Sequence, residues 1–340
     1  MRGPTERLSS LSAAWRGDNA LRRRIGHIGH LLAGNYLAAL LSLLAVTITA
    51  RSLGSLNYGM LALTITYTRA VERFISFQSW QPVIKYGASL SEREDHHALR
   101  ALYKFGLMLD VSAGMAAWLV GVTLALLAGA LFGWDERTIR LVLVYCTVLL
   151  FNINGLPTAA LRLAGRFLLV AYGQVLSATV RILLCGLAAF MGGDLILFAF
   201  IWMATQILGA LVFLFTGMRE LRRRGVRRIL RAPLRGITMR FPGLWGFAWS
   251  ANLSLTLRAS IYQLDVLLVG ALAGPASAGL YHMAKQMGKL AQQAGVQVQA
   301  VVYPDVARLW AKQAIGEFRR AIFQTEAMLA SFGLFIFLLV

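Results

Sequence analysis

His30-Leu-Leu-Ala-Gly-Asn-Tyr-Leu-Ala-Ala-Leu-Leu-Ser-Leu-Leu-Ala-Val-Thr-Ile-Thr-Ala50 contains no Asp, Glu, Lys or Arg. A helix rises about 1.5 Å per residue, so this run spans about 30 Å, the thickness of a bilayer's hydrocarbon core. It is too long for the apolar part of a cleaved signal peptide. It follows a polar, basic segment, 1–28, with Arg22, Arg23 and Arg24 near its end. It reads as an uncleaved signal anchor and first membrane span.

Eight further stretches meet the same criterion: 58–81, 105–131, 140–161, 167–190, 194–217, 243–271, 279–302 and 321–340. Long apolar runs without alternation exclude a β-barrel and leave helices as the spanning elements. Composition agrees. Of the 340 residues, 58% are hydrophobic and 14% charged, against roughly 25% charged in a soluble domain. The mean hydropathy is +0.62. Cys146 and Cys185 each lie inside an apolar run, with neither disulfide nor zinc spacing.

The net charge of +19 raises the question of nucleic acid, and its distribution answers it. With the N-terminus in the cytoplasm, the cytoplasmic segments 1–28, 82–104, 162–166, 218–242 and 303–320 hold 25 of the 34 basic residues. The opposite loops hold Arg51, Arg137 and Arg140. This is the positive-inside pattern, and no nucleic-acid partner is needed to explain it. The most basic stretch, 218–242, separates six spans from three. It reads either as a lipid-headgroup or regulatory site or, preferably, as a topology determinant lying on anionic lipid. The domain reading is therefore a basic cytoplasmic segment (1–28), a six-helix bundle (29–217), a basic linker (218–242) and a partial second bundle (243–340). The apolar stretch ending at Val340 suggests a second bundle truncated after about three helices.

An ionisable side chain at mid-membrane costs about 2.5–3.5 kcal/mol on insertion scales and usually marks a pathway or an ion relay. Span 2 holds Arg69, Glu72 and Arg73 on one helical face. Asp110, Arg181, Arg258, Asp265, Lys285 and Lys289 complete the in-span set, with Glu326 in the last stretch. Either these groups line a polar, mainly cationic cavity, or Arg69, Glu72 and Arg73 neutralise one another structurally. The break at Asn152, Asn154 and Gly155-Leu-Pro157 reads as a packing kink. His96, His97 and His282 lack partners at metal-ligand spacing, and no catalytic triad, P-loop or dinucleotide motif appears. No catalytic residue, metal or cofactor is expected.

A weak repeat runs through the chain. Gly54 and Gly59 recur 220 residues later as Gly274 and Gly279, and Pro82 recurs 222 residues later as Pro304. Counting ten residues on from Gly59 and Gly279 lands on Arg69 and Lys289. Both units enter the membrane in the same direction. The fold expected is all-α: two parallel-repeat bundles of six helices related by a pseudo-two-fold axis along the membrane normal.

Ala50-Arg-Ser-Leu-Gly-Ser-Leu-Asn-Tyr-Gly59, Phe77-Gln-Ser-Trp-Gln-Pro-Val-Ile-Lys-Tyr-Gly87, and Asp265-Val-Leu-Leu-Val-Gly270 with Ala278-Gly-Leu-Tyr281 resemble bacterial polysaccharide transporters. These are the O-antigen and exopolysaccharide flippases, within the superfamily that also holds multidrug extruders. The resemblance covers residues 25–340. It implies an inner-membrane flippase with a central cavity lined by spans 1, 2, 7 and 8. It implies a lipid-diphosphate-linked oligosaccharide carried to the periplasmic leaflet by alternating access, with coupling to an ion gradient. Glycosyltransferases and a polysaccharide polymerase would be its partners, beside the membrane lipids. Arg69, Arg73, Arg181, Arg258, Lys285 and Lys289 are then the substrate-binding candidates, and Glu72, Asp110 and Asp265 the ion-coupling ones. Trp80 and Tyr86 offer faces for sugars. An ion-coupled multidrug exporter is the nearest rival, but six basic against three or four acidic in-span residues favour an anionic cargo. A polymerase would need large outer loops, which the sequence lacks. An inactive truncated membrane protein is the remaining alternative.

Overall fold

A computed structural model describes residues 19–77, 79–92, 95–132, 134–250 and 264–289, with scattered helical positions between 315 and 330. Among the described residues the regular structure is helical. The elements are α1 (Asn19–Ile75), α2 (Trp80–Glu92), α3 (His96–Phe132), α4 (Glu136–Tyr145), α5 (Gly155–Leu163), α6 (Phe167–Phe190), α7 (Leu195–Arg223), the short α8 (Ile237–Arg240) and α9 (Leu264–Lys289). Six segments are long and apolar enough to cross a membrane: Gly34–Ile75, His96–Leu127, Glu136–Leu163, Tyr172–Phe190, Leu195–Arg223 and Leu264–Lys289. The protein is a multi-pass helical membrane protein.

Two of these segments each hold two expected spans. In α1 the helix is interrupted at Gly54, with φ 72° and ψ 172°. Asn35 and Glu72 would lie about 55 Å apart on a straight helix, yet both line one cavity. The chain therefore folds back at Gly54. In α9, Gly274 has φ 80°, and Lys285 Nζ reaches Asp265 Oδ1 at 2.5 Å although a straight helix would separate them by about 30 Å. This segment folds back at Gly274. Both turns need a left-handed residue, which glycine adopts without steric cost. The expected span 321–340 lies outside the described residues, apart from isolated positions. The helix of α1 begins at Asn19, so part of the basic N-terminal segment is helical.

The first bundle has three apolar cores. The first gathers Ala45, Val46, Tyr58, Leu61, Tyr145, Cys185, Phe198 and Trp202 near the Gly54 turn. The second gathers Val83, Leu102, Phe105, Leu156, Leu221, Ile229, Phe241 and Leu244 at the opposite end. The third is formed by Tyr67, Val71, Ala117, Ala125, Val142, Cys146 and Leu149 between the second arm of α1, α3 and α4. Along α7 the first core uses residues from Leu195 to Met203 and the second uses Leu221, and Gln206, Ile207, Gly209, Ala210 and Phe213 between them line a cavity. The polar cavity thus lies between these two cores and beside the third.

The second hairpin docks on the first through Gly59 and Gly279. A methyl group placed on Gly279 would lie 2.9 Å from the Gly59 Cα, and one on Gly59 would overlap the Pro275 carbonyl. Leu63, Val266 and Ala278 form a small core beside this contact.

Candidate functional site

The cavity has a volume of about 940 Å³ and lies inside the first bundle. Its walls come from both arms of α1 and from α2, α3, α5, α6, α7 and the break between α4 and α5. The resemblance placed a cavity between spans 1, 2, 7 and 8. This one is lined by the first six spans, and no described residue of α9 contributes.

Three arginines reach it. Arg73 lines the wall from the last turn of α1 and is exposed. Arg181, from α6, donates from Nε to Thr205 Oγ1 at 3.0 Å and lies 4.6 Å from the centre of the Trp202 ring. Arg162, from α5, stacks 4.3 Å from the centre of the Trp80 ring, which also lines the cavity. The sequence reading named Arg73 and Arg181 and missed Arg162, which it assigned to a loop. The available signal was the Asn152–Asn154 break, from which Arg162 follows two turns into α5.

Glu72 lines the same cavity. Among the described residues it makes no ion pair with Arg69 or Arg73, so the self-neutralised cluster weighed from the sequence is not formed. Amides add neutral polarity: Asn35, Asn152, Asn154, Gln174 and Gln206. Gln206 accepts from the Tyr145 hydroxyl at 3.2 Å, while Asn35 Oδ1 is buried and unpartnered.

Asp110 also touches the cavity but is fully engaged. One carboxylate oxygen accepts from Ser79 Oγ; the other accepts from the backbone N–H groups of Gly155 and Leu156, at 2.9 and 3.1 Å. Those are the unsatisfied donors at the start of α5. The Asn152–Gly155 break is therefore more than a packing kink: it forms cavity wall and is fixed by Asp110.

Arg69 lies beside this cavity, toward α9. It is within electrostatic reach of Tyr58, Tyr145 and Arg181 on one side and of His282 and Lys289 on the other. Lys289 also senses Arg73 and Lys285. The structure thus brings Arg69, Arg73, Arg181 and Lys289 into one cationic region. Lys285 and Asp265 pair with each other at 2.5 Å, and Tyr281 donates to Asp265 at 3.1 Å. Arg258 lies outside the described residues. His282, assigned no role from the sequence, is buried between Tyr58 and Gln286, with contacts of 2.8 and 3.0 Å to its two ring nitrogens. Tyr86 faces away from the cavity: its hydroxyl donates to the Pro242 carbonyl at 3.0 Å and its ring packs on Phe241.

A multi-pass helical bundle that folds around a polar, cationic chamber has the architecture of a solute carrier. Residues 27–310 match the model of the polysaccharide biosynthesis protein family, and the chain belongs to that family. It is 28% identical over 295 residues to the inner membrane protein YghQ of Escherichia coli (strain K12), covering 87% of this chain and 83% of that protein. Among solved structures it resembles an inward-facing conformation of a multidrug resistance MATE family transporter of the MOP superfamily. The TM-score is 0.52 at 15% identity, over 88% of this chain and 66% of that one, so the chain spans about two thirds of that transporter's length. The likeness shows the fold.

Proposed function

We propose that this protein is an inner-membrane flippase that carries a polyprenyl-diphosphate-linked oligosaccharide, an O-antigen or exopolysaccharide unit, from the cytoplasmic to the periplasmic leaflet. The observation that carries this reading is the cavity's charge. Arg73, Arg162 and Arg181 face it, and Glu72 is its one carboxylate not already engaged among the described residues. A sugar diphosphate cannot enter hydrocarbon, so its carrier must offer a polar path while the polyprenyl tail stays in lipid. Guanidinium groups suit phosphate because their planar fork donates two parallel hydrogen bonds. A cationic drug would be repelled from the same walls.

In this reading the N-terminus and the 218–242 linker are cytoplasmic, and the Gly54 and Gly274 turns face the periplasm. Two bundles related by a pseudo-two-fold axis alternate in access. Arg69 and Lys289, one from each hairpin, lie at equal depth, about 15 Å from the glycine contact. They repel each other when empty, and a diphosphate between them relieves that repulsion. Glycosyltransferases supply the cargo and a polymerase consumes it. The activity is transport rather than catalysis.

The test is flipping of lipid-linked oligosaccharide in a strain lacking its own flippase. Arg69→Gln and Lys289→Gln are each expected to lower periplasmic display at unchanged membrane level. Arg69→Lys is expected to remain impaired, since Lys lacks the bidentate fork. Full activity of both Gln variants at equal expression would overturn the clamp. A wild-type chain that exports a cationic dye but displays no saccharide would favour the drug-exporter reading.

A further inference from the structure

The basic linker is not a loose tether. Gly225, at φ 79°, turns the chain back where α7 ends at Arg223. Val226, Ile229, Phe241 and Leu244 are then buried with residues of α2, α3 and α5, and Ala232 is buried as well. Lys104 donates to the Ala232 carbonyl at 2.8 Å, and Arg224 donates to the Ala164 carbonyl at 3.0 Å. The linker is therefore held against α2, α3 and α5, with its arginines turned outward.

This outward surface is unusual in three ways. The 44 residues between Glu220 and Asp265 contain no carboxylate, and the nine cations of 218–242 are all arginine. Arg227, Arg228 and Arg231 are exposed around the buried Ile229, and Leu230 between them is 68% exposed. Arg228 is the single non-glycine residue with positive φ among the described residues, at φ 55° and ψ 44°. That conformation is strained for a residue with a Cβ and comfortable for glycine. Holding an arginine there makes sense where its side chain is used.

We propose that Arg227, Arg228 and Arg231, with Leu230, form a docking site for anionic phospholipid headgroups. The guanidinium groups take the phosphodiester, and Leu230 enters the adjoining acyl layer. Arginine is the fitting residue, because a phosphate accepts its two parallel N–H groups together. The exposed leucine argues for a lipid over a free anion, since an apolar side chain gains nothing from inorganic phosphate. This site is independent of the cargo cavity and of the flippase reading.

The test uses the purified full chain in non-ionic detergent. Lipid retention is read by native mass spectrometry and thermal midpoint by light scattering. Phosphatidylglycerol is compared with phosphatidylcholine and with inorganic phosphate. Phosphatidylglycerol is expected to be retained and to raise the midpoint, and the other two to do neither. R228G removes one guanidinium and relaxes the backbone. It is expected to weaken phosphatidylglycerol about five-fold while leaving the lipid-free midpoint unchanged or raised. L230S is expected to weaken the lipid without altering the charge. Equal retention of phosphatidylcholine, equal stabilisation by inorganic phosphate, or undiminished retention by R228G would each overturn the proposal.

Discussion

The hydroxyl of Tyr58 lies 2.8 Å from Nδ1 of His282, joining two residues 224 positions apart in the chain. Both side chains are buried, and Gln286 occupies the other ring nitrogen. The contact ties the first hairpin to the second just below the Gly59–Gly279 touch point. Hydrogen bonds between membrane helices average about 0.6 kcal/mol, with a maximum of about 1.7. Tyr58→Phe and His282→Leu, combined in a double-mutant cycle of unfolding in detergent, are expected to show a coupling in that range. Strict additivity would mean that the two side chains do not bond.

The glycine contact makes a sharper demand. At Gly279 the nearest atoms to an added methyl group belong to the Gly59 backbone, at 2.9 and 3.0 Å. Backbone yields less readily than a flexible side chain, so Gly279→Ala should spread the hairpins and cost about 1–3 kcal/mol. Gly186, inside α6, has open space around the same position. Gly186→Ala should be neutral or stabilising by up to about 1 kcal/mol, because alanine is the better helix former. Thermal midpoints of the two variants check the contrast. Similar midpoints would remove the close contact from the fold.

How much of this was legible beforehand follows from the range of the forces involved. Long apolar runs report membrane spans locally, and eight of the nine expected stretches fall on helical segments that the structure describes in whole or in part. The turns were legible too, since Gly54 and Gly274 both adopt the left-handed conformation for which glycine is suited. Pairings were not. That Asp265 is engaged by Lys285, and Asp110 by Ser79 and the start of α5, depends on three-dimensional packing. Arg162 was hidden because hydropathy counted it as loop, whereas the helix of α5 carries it back to the cavity. The linker's basic character was plain, but its docking rests on scattered apolar residues with no long period.

The Lys285–Asp265 pair is expected to behave as structure. Its side chains are 16% and 32% exposed, and removing one partner leaves the other ionised with weakened compensation. Lys285→Gln alone should lower stability by about 1–3 kcal/mol, less than a fully buried pair would lose because water reaches both groups. Lys285→Gln with Asp265→Asn should recover part of that loss. Yield and thermal midpoint read the effect directly. A stable Lys285→Gln variant that fails only in transport would return Lys285 to the cargo path.

Glu72 and Asp110 separate two meanings of an in-membrane carboxylate. Both touch the cavity. Asp110 spends its oxygens on Ser79 Oγ and on the first two N–H groups of α5, so its loss exposes buried donors. Asp110→Ala should cost about 1–3 kcal/mol, the usual penalty for stranding such groups. Asp110→Asn keeps an acceptor for α5 and should stay folded and active. Glu72 has no such duty among the described residues, so Glu72→Gln should leave the thermal midpoint unchanged. If the carboxylate serves ion coupling, Glu72→Gln should still slow flipping under an imposed proton or sodium gradient while sparing gradient-independent exchange. The readout is transport in proteoliposomes with and without the gradient, at matched protein content. Gradient-driven transport that survives Glu72→Gln but fails in Asp110→Asn at full stability would reverse the two assignments.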